Sequence, residues 1–241
     1  MITDRITVGA FDTHDDRQAR VIAAEVQRHI ERSRAKIIIL RYPADFVSLL
    51  KSVDIGTRSV YPGGSLAYWE ACLADSGFSD PDVLELGAEE RHSWMGEVES
   101  VIADSFLGYI NHYASNPLIS SDLIADGYAE WARSTLNDSR NRLFVVNHEA
   151  RVAGLAVVHV DGDIWDIELA SIATPFQRRG LYLRLVRQIL DEGARTGVSQ
   201  LVISTQSHNI AVQRAWIKLG FRPIASIETV HLVDGNPPAL S

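Results

Sequence analysis

One cysteine, Cys72, stands in a chain of 241 residues. A single thiol cannot form an intrachain disulfide and cannot build a cysteine-based metal cluster, which fits a reducing compartment such as the cytoplasm. The eight histidines are scattered without paired ligand spacing, so no metal is expected. No Gly-x-Ser-x-Gly elbow and no phosphate-loop lysine motif is present, which removes two common catalytic signatures. No run approaches the roughly 18 apolar residues of a membrane span. The opening Met1-Ile2-Thr3-Asp4-Arg5 lacks a basic stretch leading into an apolar one, so neither an anchor nor a leader is expected. A basic excess is missing too: 31 acidic residues against 23 Lys and Arg leave a formal charge of −8. That balance argues against a nucleic-acid or anionic-membrane binder, which needs a basic face.

Hydrophobic residues make up 46% of the chain, enough for a packed core in one large domain or two smaller ones. The most informative stretch runs from Trp165 to Leu185. An apolar strand-like run is followed by Thr174-Pro175-Phe176-Gln177-Arg178-Arg179-Gly180-Leu181-Tyr182 and then by a helical pattern. A strand, a donor-rich turn and a helix start aim free backbone N–H groups and a positive dipole end at an anion. Gly180 allows close backbone approach, and Gln177, Arg178 and Arg179 add side-chain donors. The bland alternative is a solvated helix start. Downstream, Gln200–Thr205 reads as a β-branched strand, and Asn209–Gly220 as a helix with Asn209 as cap and Gly220 as stop.

Gln177-x-x-Gly180-x-Tyr182, with Asn209 through Gly220-Phe221, resembles the GNAT superfamily of acyl-CoA N-acyltransferases over roughly residues 90–235. A second likeness precedes the cradle, in Asp104-Ser105-Phe106, His112-Tyr113-Ala114-Ser115-Asn116-Pro117 and Gly127-Tyr128-Ala129-Glu130-Trp131-Ala132. This layout looks like the dTDP-fucosamine N-acetyltransferase group, which acylates nucleotide-linked amino sugars. The resemblance implies an α/β (α+β) GNAT fold, a mixed central sheet flanked by helices, and acetyl-CoA or a short acyl-CoA as co-substrate. It also implies that the strand ending at Ser171 and Ile172 splays from its neighbour and offers N–H groups to the cofactor, along with Gln177–Tyr182, Asn209 and Trp216.

A repeat organises the N-terminal third. Ile37–Leu40 up to Ile55-Gly56-Thr57-Arg58 parallels Leu201–Ser204 up to Leu219-Gly220-Phe221-Arg222 at a constant offset of 164, and helix Arg17–Arg34 matches Leu181–Thr196. The first copy lacks the glycine turn. Residues 1–85 are therefore expected to form a small α/β domain, a degenerate half of the same fold, ahead of an acyltransferase domain at 86–241. Pro62-Gly63-Gly64 reads as a turn and Asp75–Asp82 as a linker. Helices are expected from Glu89 to Ile102 and from Leu123 to Asn137. Strands are expected at Leu143–Asn147, Val152–Val160 and Trp165–Ile172, with a hairpin turn over Asn147–Arg151 and a frayed tail from Asp234.

Acyl transfer to an amine needs a base for the ammonium proton, donors for the oxyanion and a proton for the thiolate. Period-two alternation sets Asp166, Glu168 and Ala170 on one strand face, which makes the two carboxylates candidate bases. Asp166 falls where some relatives keep a catalytic carboxylate. His231 is a third candidate, its ordinary pKa near 6.5 suiting neutral pH. Many relatives place a tyrosine where this chain has Trp216, whose indole cannot release a proton; Tyr182 or His208 could assist, or the thiolate could leave unaided. Tyr182 also replaces a small residue in the cradle, so its ring must point away. His112, Tyr113, Asn116, Tyr128 and Trp131 offer the aromatic faces and polar tips that hold sugars and bases. Other amines as acceptors, a non-catalytic acyl-CoA-binding protein, and a homodimer all remain compatible with the sequence.

Overall fold

The computed structural model describes residues 3–74, 76–106 and 111–235. The side chain of Tyr128 and the tail from 236 onward lie outside the described residues, as do the expectations placed on them. In chain order the elements are β1 (Thr3–Thr7), α1 (Asp16–Arg32), β2 (Ile37–Pro43), α2 (Leu49–Ser52), β3 (Ser59–Ala71), β4 (Val83–Leu86), α3 (Ala88–Phe106) and α4 (Ser121–Asn137). They continue with β5 (Asn141–His148), β6 (Arg151–Asp161), β7 (Ile164–Ile172), α5 (Leu181–Arg195), β8 (Gln200–Gln206), α6 (Ile210–Lys218) and β9 (Phe221–Val233). Among the described residues no helix is long and apolar enough to cross a membrane.

The strands join in one nine-stranded mixed sheet, ordered β1-β2-β9-β3-β8-β7-β6-β5-β4. Among the described residues only β1–β2 and β7–β8 pair in parallel. Each parallel pair is linked by a crossover helix, α1 or α5, as such pairs require. Both helices bury one stripe: Ala23, Val26 and Ile30 in α1, and Leu181, Leu185, Val186 and Ile189 in α5. Central β6 is buried without interruption from Val152 to Val158, the signature of a strand covered on both faces. The main core lies between this part of the sheet and its helices, and a second core sits under α1 against β2 and β9.

The offset of 164 superposes β1-α1-β2-α2-β3 on β7-α5-β8-α6-β9 element by element, and Gly56 (φ 62°) and Gly220 (φ 84°) are left-handed stops at matching places. The order β1-β2-β9-β3-β8-β7 reads the same from either end once the copies are exchanged. The third strand of each copy sits beside the other's: β9 lies between β2 and β3, and β3 between β9 and β8. The pairs Ser59–Val233 and Trp69–Pro223 are the two images of one contact under this exchange. The copies differ in α2, a single turn where α6 has nine residues. The expected boundary at 85/86 falls at the end of β4, and strands from both sides of it share the sheet.

Two expectations need correction. Pro62-Gly63-Gly64 is not a turn but part of β3, at a register shift between Pro62 and Gly64. A Cβ on Gly63 would stand 3.0 Å from Cβ of His112 and 3.1 Å from the Thr229 carbonyl oxygen, so glycine serves close packing here. The 75–82 stretch is no loose linker in its described part. Asp80, buried, binds Arg184 of α5 through Nε (2.5 Å) and Nη2 (2.6 Å), and Asp191 of α5 accepts the backbone N–H groups of Ser76 and Phe78. A Pro/Gly/Asp composition marks a turn or linker only where no partner takes up its polar groups.

Candidate active site

The parallel ladder of β7 and β8 covers Ile164–Ile167 and Gln200–Ile203 and no further among the described residues. Beyond it β7 runs on to Ile172 bonded to β6, and β8 to Gln206 bonded to β3. The two strands thus part at the carboxyl end of a parallel pair, where open α/β sheets receive ligands, leaving their facing edges unladdered. The pairing of β7 with β6 steps from Ile167–Val158 to Leu169–Val157, which makes Glu168 an inserted residue. The alternation expected for Asp166, Glu168 and Ala170 is broken at that bulge. Farther along, Gly154 lets β6 press on the end of β7: an added Cβ would lie 2.5 Å from the Ser171 carbonyl oxygen and collide with the Ile172 side chain. The Ser171 hydroxyl is buried and has no hydrogen-bond partner among the described residues.

The turn after β7 is a 3-10 turn (Thr174–Phe176) leading into left-handed residues at Arg178 (φ 62°) and Gly180 (φ 79°). Alternating left-handed residues of this kind build anion-binding nests of N–H groups. A non-glycine residue at positive φ costs energy, and such strain clusters at ligand sites. Gly180, the N-cap residue of α5, brings no side-chain cap, and the helix's first-turn N–H groups and positive dipole end lie directly after the nest. The matching helix start in the first copy is built the opposite way. There the Asp15 carboxylate caps α1, accepting from Arg17 N (2.9 Å) and Gln18 N (3.2 Å), and fills the place an anion would take.

The cradle's side chains divide. Arg178 is exposed; Arg179 reaches His148 Nε2 at 3.0 Å and Glu149 Oε1 at 3.6 Å. Gln177 turns back to donate to the Ile172 carbonyl at 3.1 Å, so it braces the turn. The Tyr182 ring packs against the main core, as the cradle requires, and its hydroxyl accepts from Trp216 Nε1 at 2.9 Å. The two positions that depart from the motif are therefore bonded to each other. Trp216 is 1% exposed and meets Trp69 edge-on at 6.0 Å, which makes it a core residue. Asn209 does not cap α6 with its side chain; its Nδ2 donates to Thr205 Oγ1 at 3.1 Å.

Of the candidate bases, Asp166 lies in the rung before the last one of the β7–β8 ladder, opposite Val202. Burial, and next the charge of Glu168, push its carboxyl up to about 6, His159 acting in the other direction. Glu168 is exposed. His231 is 0% exposed, and both ring nitrogens are engaged: Nε2 with His112 Nδ1 and Nδ1 with Asn116 Nδ2, each at 2.9 Å. It presents no open nitrogen to a substrate. Burial first, then Arg41, lowers it to about 4; burial, Arg41, His231 and Arg5 lower His112 to about 3.

The structure thus gathers a candidate base, His231, and two candidate acceptor contacts, His112 and Asn116, into one buried network. Tyr113 stacks on His112 at 3.9 Å, and Trp131 packs against the main core. Sequence reasoning missed Arg41, whose Nη2 lies 3.2 Å from His112 Nε2, and Asp104, which accepts the Thr174 N–H at 2.6 Å. Arg41 sits in no local pattern, and Asp104, which opens the Asp104-Ser105-Phe106 likeness, carries no sign there of this partner. Gly154 interrupts an apolar strand, and a lone strand glycine does signal a close backbone approach.

Residues 111–221 match the acetyltransferase (GNAT) family. The spore coat polysaccharide biosynthesis protein SpsD of Bacillus subtilis is 22% identical over 203 residues, spanning 83% of this chain and 67% of that protein. Similar solved structures include a GCN5-related N-acetyltransferase from Sphaerobacter thermophilus (TM-score 0.57, 12% identity, 98% of this chain and 74% of that one). Another is an acetyltransferase of the GNAT family from Colwellia psychrerythraea (TM-score 0.55, 11% identity, 91% and 74%). The parted parallel strands and the uncapped helix behind them lie within the stretch, residues 111–221, that matches the acetyltransferase (GNAT) family, and the fold agrees with that match.

Proposed function

We propose that the protein transfers an acetyl or short acyl group from acyl-CoA to the amine of a nucleotide-linked amino sugar, within a ternary complex. The observation that carries this reading is the uncapped start of α5 beside the parted ends of β7 and β8. The nest at Arg178–Gly180 would take the pyrophosphate, and the unladdered edge of β7 up to Ser171 and Ile172 the thioester arm. Asp166 removes the amine proton, Glu168 being the second carboxylate in reach of that role. Backbone N–H groups of β7 stabilise the oxyanion. The likeness to a protein of polysaccharide biosynthesis supports an amino-sugar acceptor. The lone exposed thiol of Cys72 supports a cytoplasmic setting. In this reading residues 86–241 form the acyltransferase part, and 1–85 its cofactor-free counterpart, whose helix start is closed by Asp15.

The test is calorimetric titration with acetyl-CoA of the wild type and of Gly180→Asp. No heavy atom lies within 4 Å of a Cβ at Gly180, and aspartate is among the residues that best tolerate positive φ. The variant therefore places a carboxylate at the start of α5, as Asp15 does at α1, without a clash. The expected result is a loss of affinity of at least about tenfold. Equal affinity in both proteins rejects the cradle. Binding without turnover on dTDP-fucosamine, UDP-glucosamine or simple amines favours a non-catalytic acyl-CoA binder.

A further inference from the structure

The chain between α3 and α4 is fastened at two places. Asp104, in the last turn of α3, accepts the Thr174 N–H just past β7. His112 and Asn116 are tied to His231 of β9, and His112 faces Arg41 of β2. Since β8 and β3 lie between β7 and β9 in the sheet, the fastenings stand on either side of the β7–β8 opening. Segment 111–119 is stiffened from within: Oδ1 of Asn111 accepts the Tyr113 N–H (2.8 Å), and Oδ1 of Asn116 the Leu118 N–H (3.0 Å). Gly63 of β3 leaves room for His112, whose Cβ an added Cβ there would meet at 3.0 Å, and Arg5 Nη2 of β1 reaches the Tyr113 hydroxyl at 3.5 Å.

Around this network Ile37, Ile39 and Val233 form an apolar floor against which Tyr113, Leu118 and Ile119 pack. An apolar contact would cover that floor without the desolvation cost of four polar side chains. Arg41 and Asn116 are both donors, so two neutral rings make hydrogen bonds of two of the three contacts in the chain; what such a polar chain adds is a single register for the segment it holds.

We propose that the chain Arg41–His112–His231–Asn116 is a positioning latch that holds segment 111–119 as a wall of the acceptor entrance. Strands β2 and β9 then set the affinity for the amine without touching it. The proposal rests on the acyltransferase reading. Arg41, His112, His231 and Asn116 are positioning residues in it, and Asp166 remains the group that meets the substrate.

Three measurements test this on Arg41→Met and His231→Gln, with Arg41→Lys as the conservative variant. They are hydrogen exchange of amides 111–119, calorimetry with acetyl-CoA, and steady-state rates with dTDP-fucosamine. In Arg41→Met and His231→Gln, exchange of the segment should accelerate, and KM for the amine should rise about tenfold, the scale of one lost buried contact. The acetyl-CoA affinity and kcat should stay within about twofold, and Arg41→Lys should stay near wild type. If His231→Gln fails to fold, Arg41→Met alone carries the test. Faster exchange with an unchanged KM reduces the network to packing support and overturns the proposal, as does unchanged exchange. Should the wild type not turn over dTDP-fucosamine, the substrate reading fails, and exchange in Arg41→Met then decides the latch.

Discussion

Acidification tests the buried histidine pair most directly. His112 and His231 stay neutral in the folded protein down to about 3 and about 4, whereas in the unfolded chain each takes a proton near 6.5. Between those values the unfolded state binds more protons, so stability is complete above pH 6.5 and falls as the pH drops through that value. At pH 5 each histidine favours the unfolded chain by about 2 kcal/mol, or about 4 kcal/mol for the pair. That is a large part of the roughly 5–15 kcal/mol that holds a typical domain folded. Burial, which strips a charged ring of its water, is the first reason for the depression, and the network adds a second. Arg41 Nη2 and Asn116 Nδ2, the outer partners of the pair, are both donors, so a further proton on either ring finds no acceptor in the network. Arg41 and Arg5 add repulsion at His112. Urea unfolding from pH 8 to pH 5 measures the effect, and a His112→Gln/His231→Gln double variant separates it from the carboxylates. The double variant, less stable at pH 8, should lose about 4 kcal/mol less than the wild type on reaching pH 5. Parallel curves for the two proteins would refute the argument.

Two further outcomes follow from the site. Asp166→Asn should lower kcat by about 10²–10⁴-fold with acetyl-CoA binding retained, and should remove an acidic limb centred near the wild-type carboxyl at about 6; stopped-time assays across pH 5–8 read both. Gly154→Ala should destabilise the fold by about 1–3 kcal/mol in chemical denaturation, because β7 must retreat from the new methyl group. It should also weaken acetyl-CoA binding, as the same retreat displaces the end of β7 that borders the opening.

The architecture was legible because its carriers are local. The buried stripe of α5, the alternation before Glu168 and the glycine stops at Gly56 and Gly220 each lie within one element. So did the cradle, whose function depends on backbone conformation around Gly180. What was not legible depends on contacts between distant residues. His231 on its strand looks like any titratable side chain, and only the approach of His112 and Asn116 makes it a closed, neutral partner. Period-two counting failed at Glu168 because a bulge leaves no mark on residue type. Pro62-Gly63-Gly64 has turn chemistry, yet its glycine makes room for His112, an apposition that no window of sequence contains.

The place of β9 also sets the order in which the molecule can be completed. Among the described residues β2 and β3 have no ladder with each other; each pairs with β9, the last strand described, through contacts such as Ile37–Val233 and Ser59–Val233. During synthesis the first seventy or so residues therefore wait with two unsatisfied strand edges until residues 221–233 emerge. Long-range closure of this kind is slow, and open edges invite wrong partners. A nascent chain stalled before β9 should depend on chaperones or aggregate, however well α1 and β1–β2 have formed.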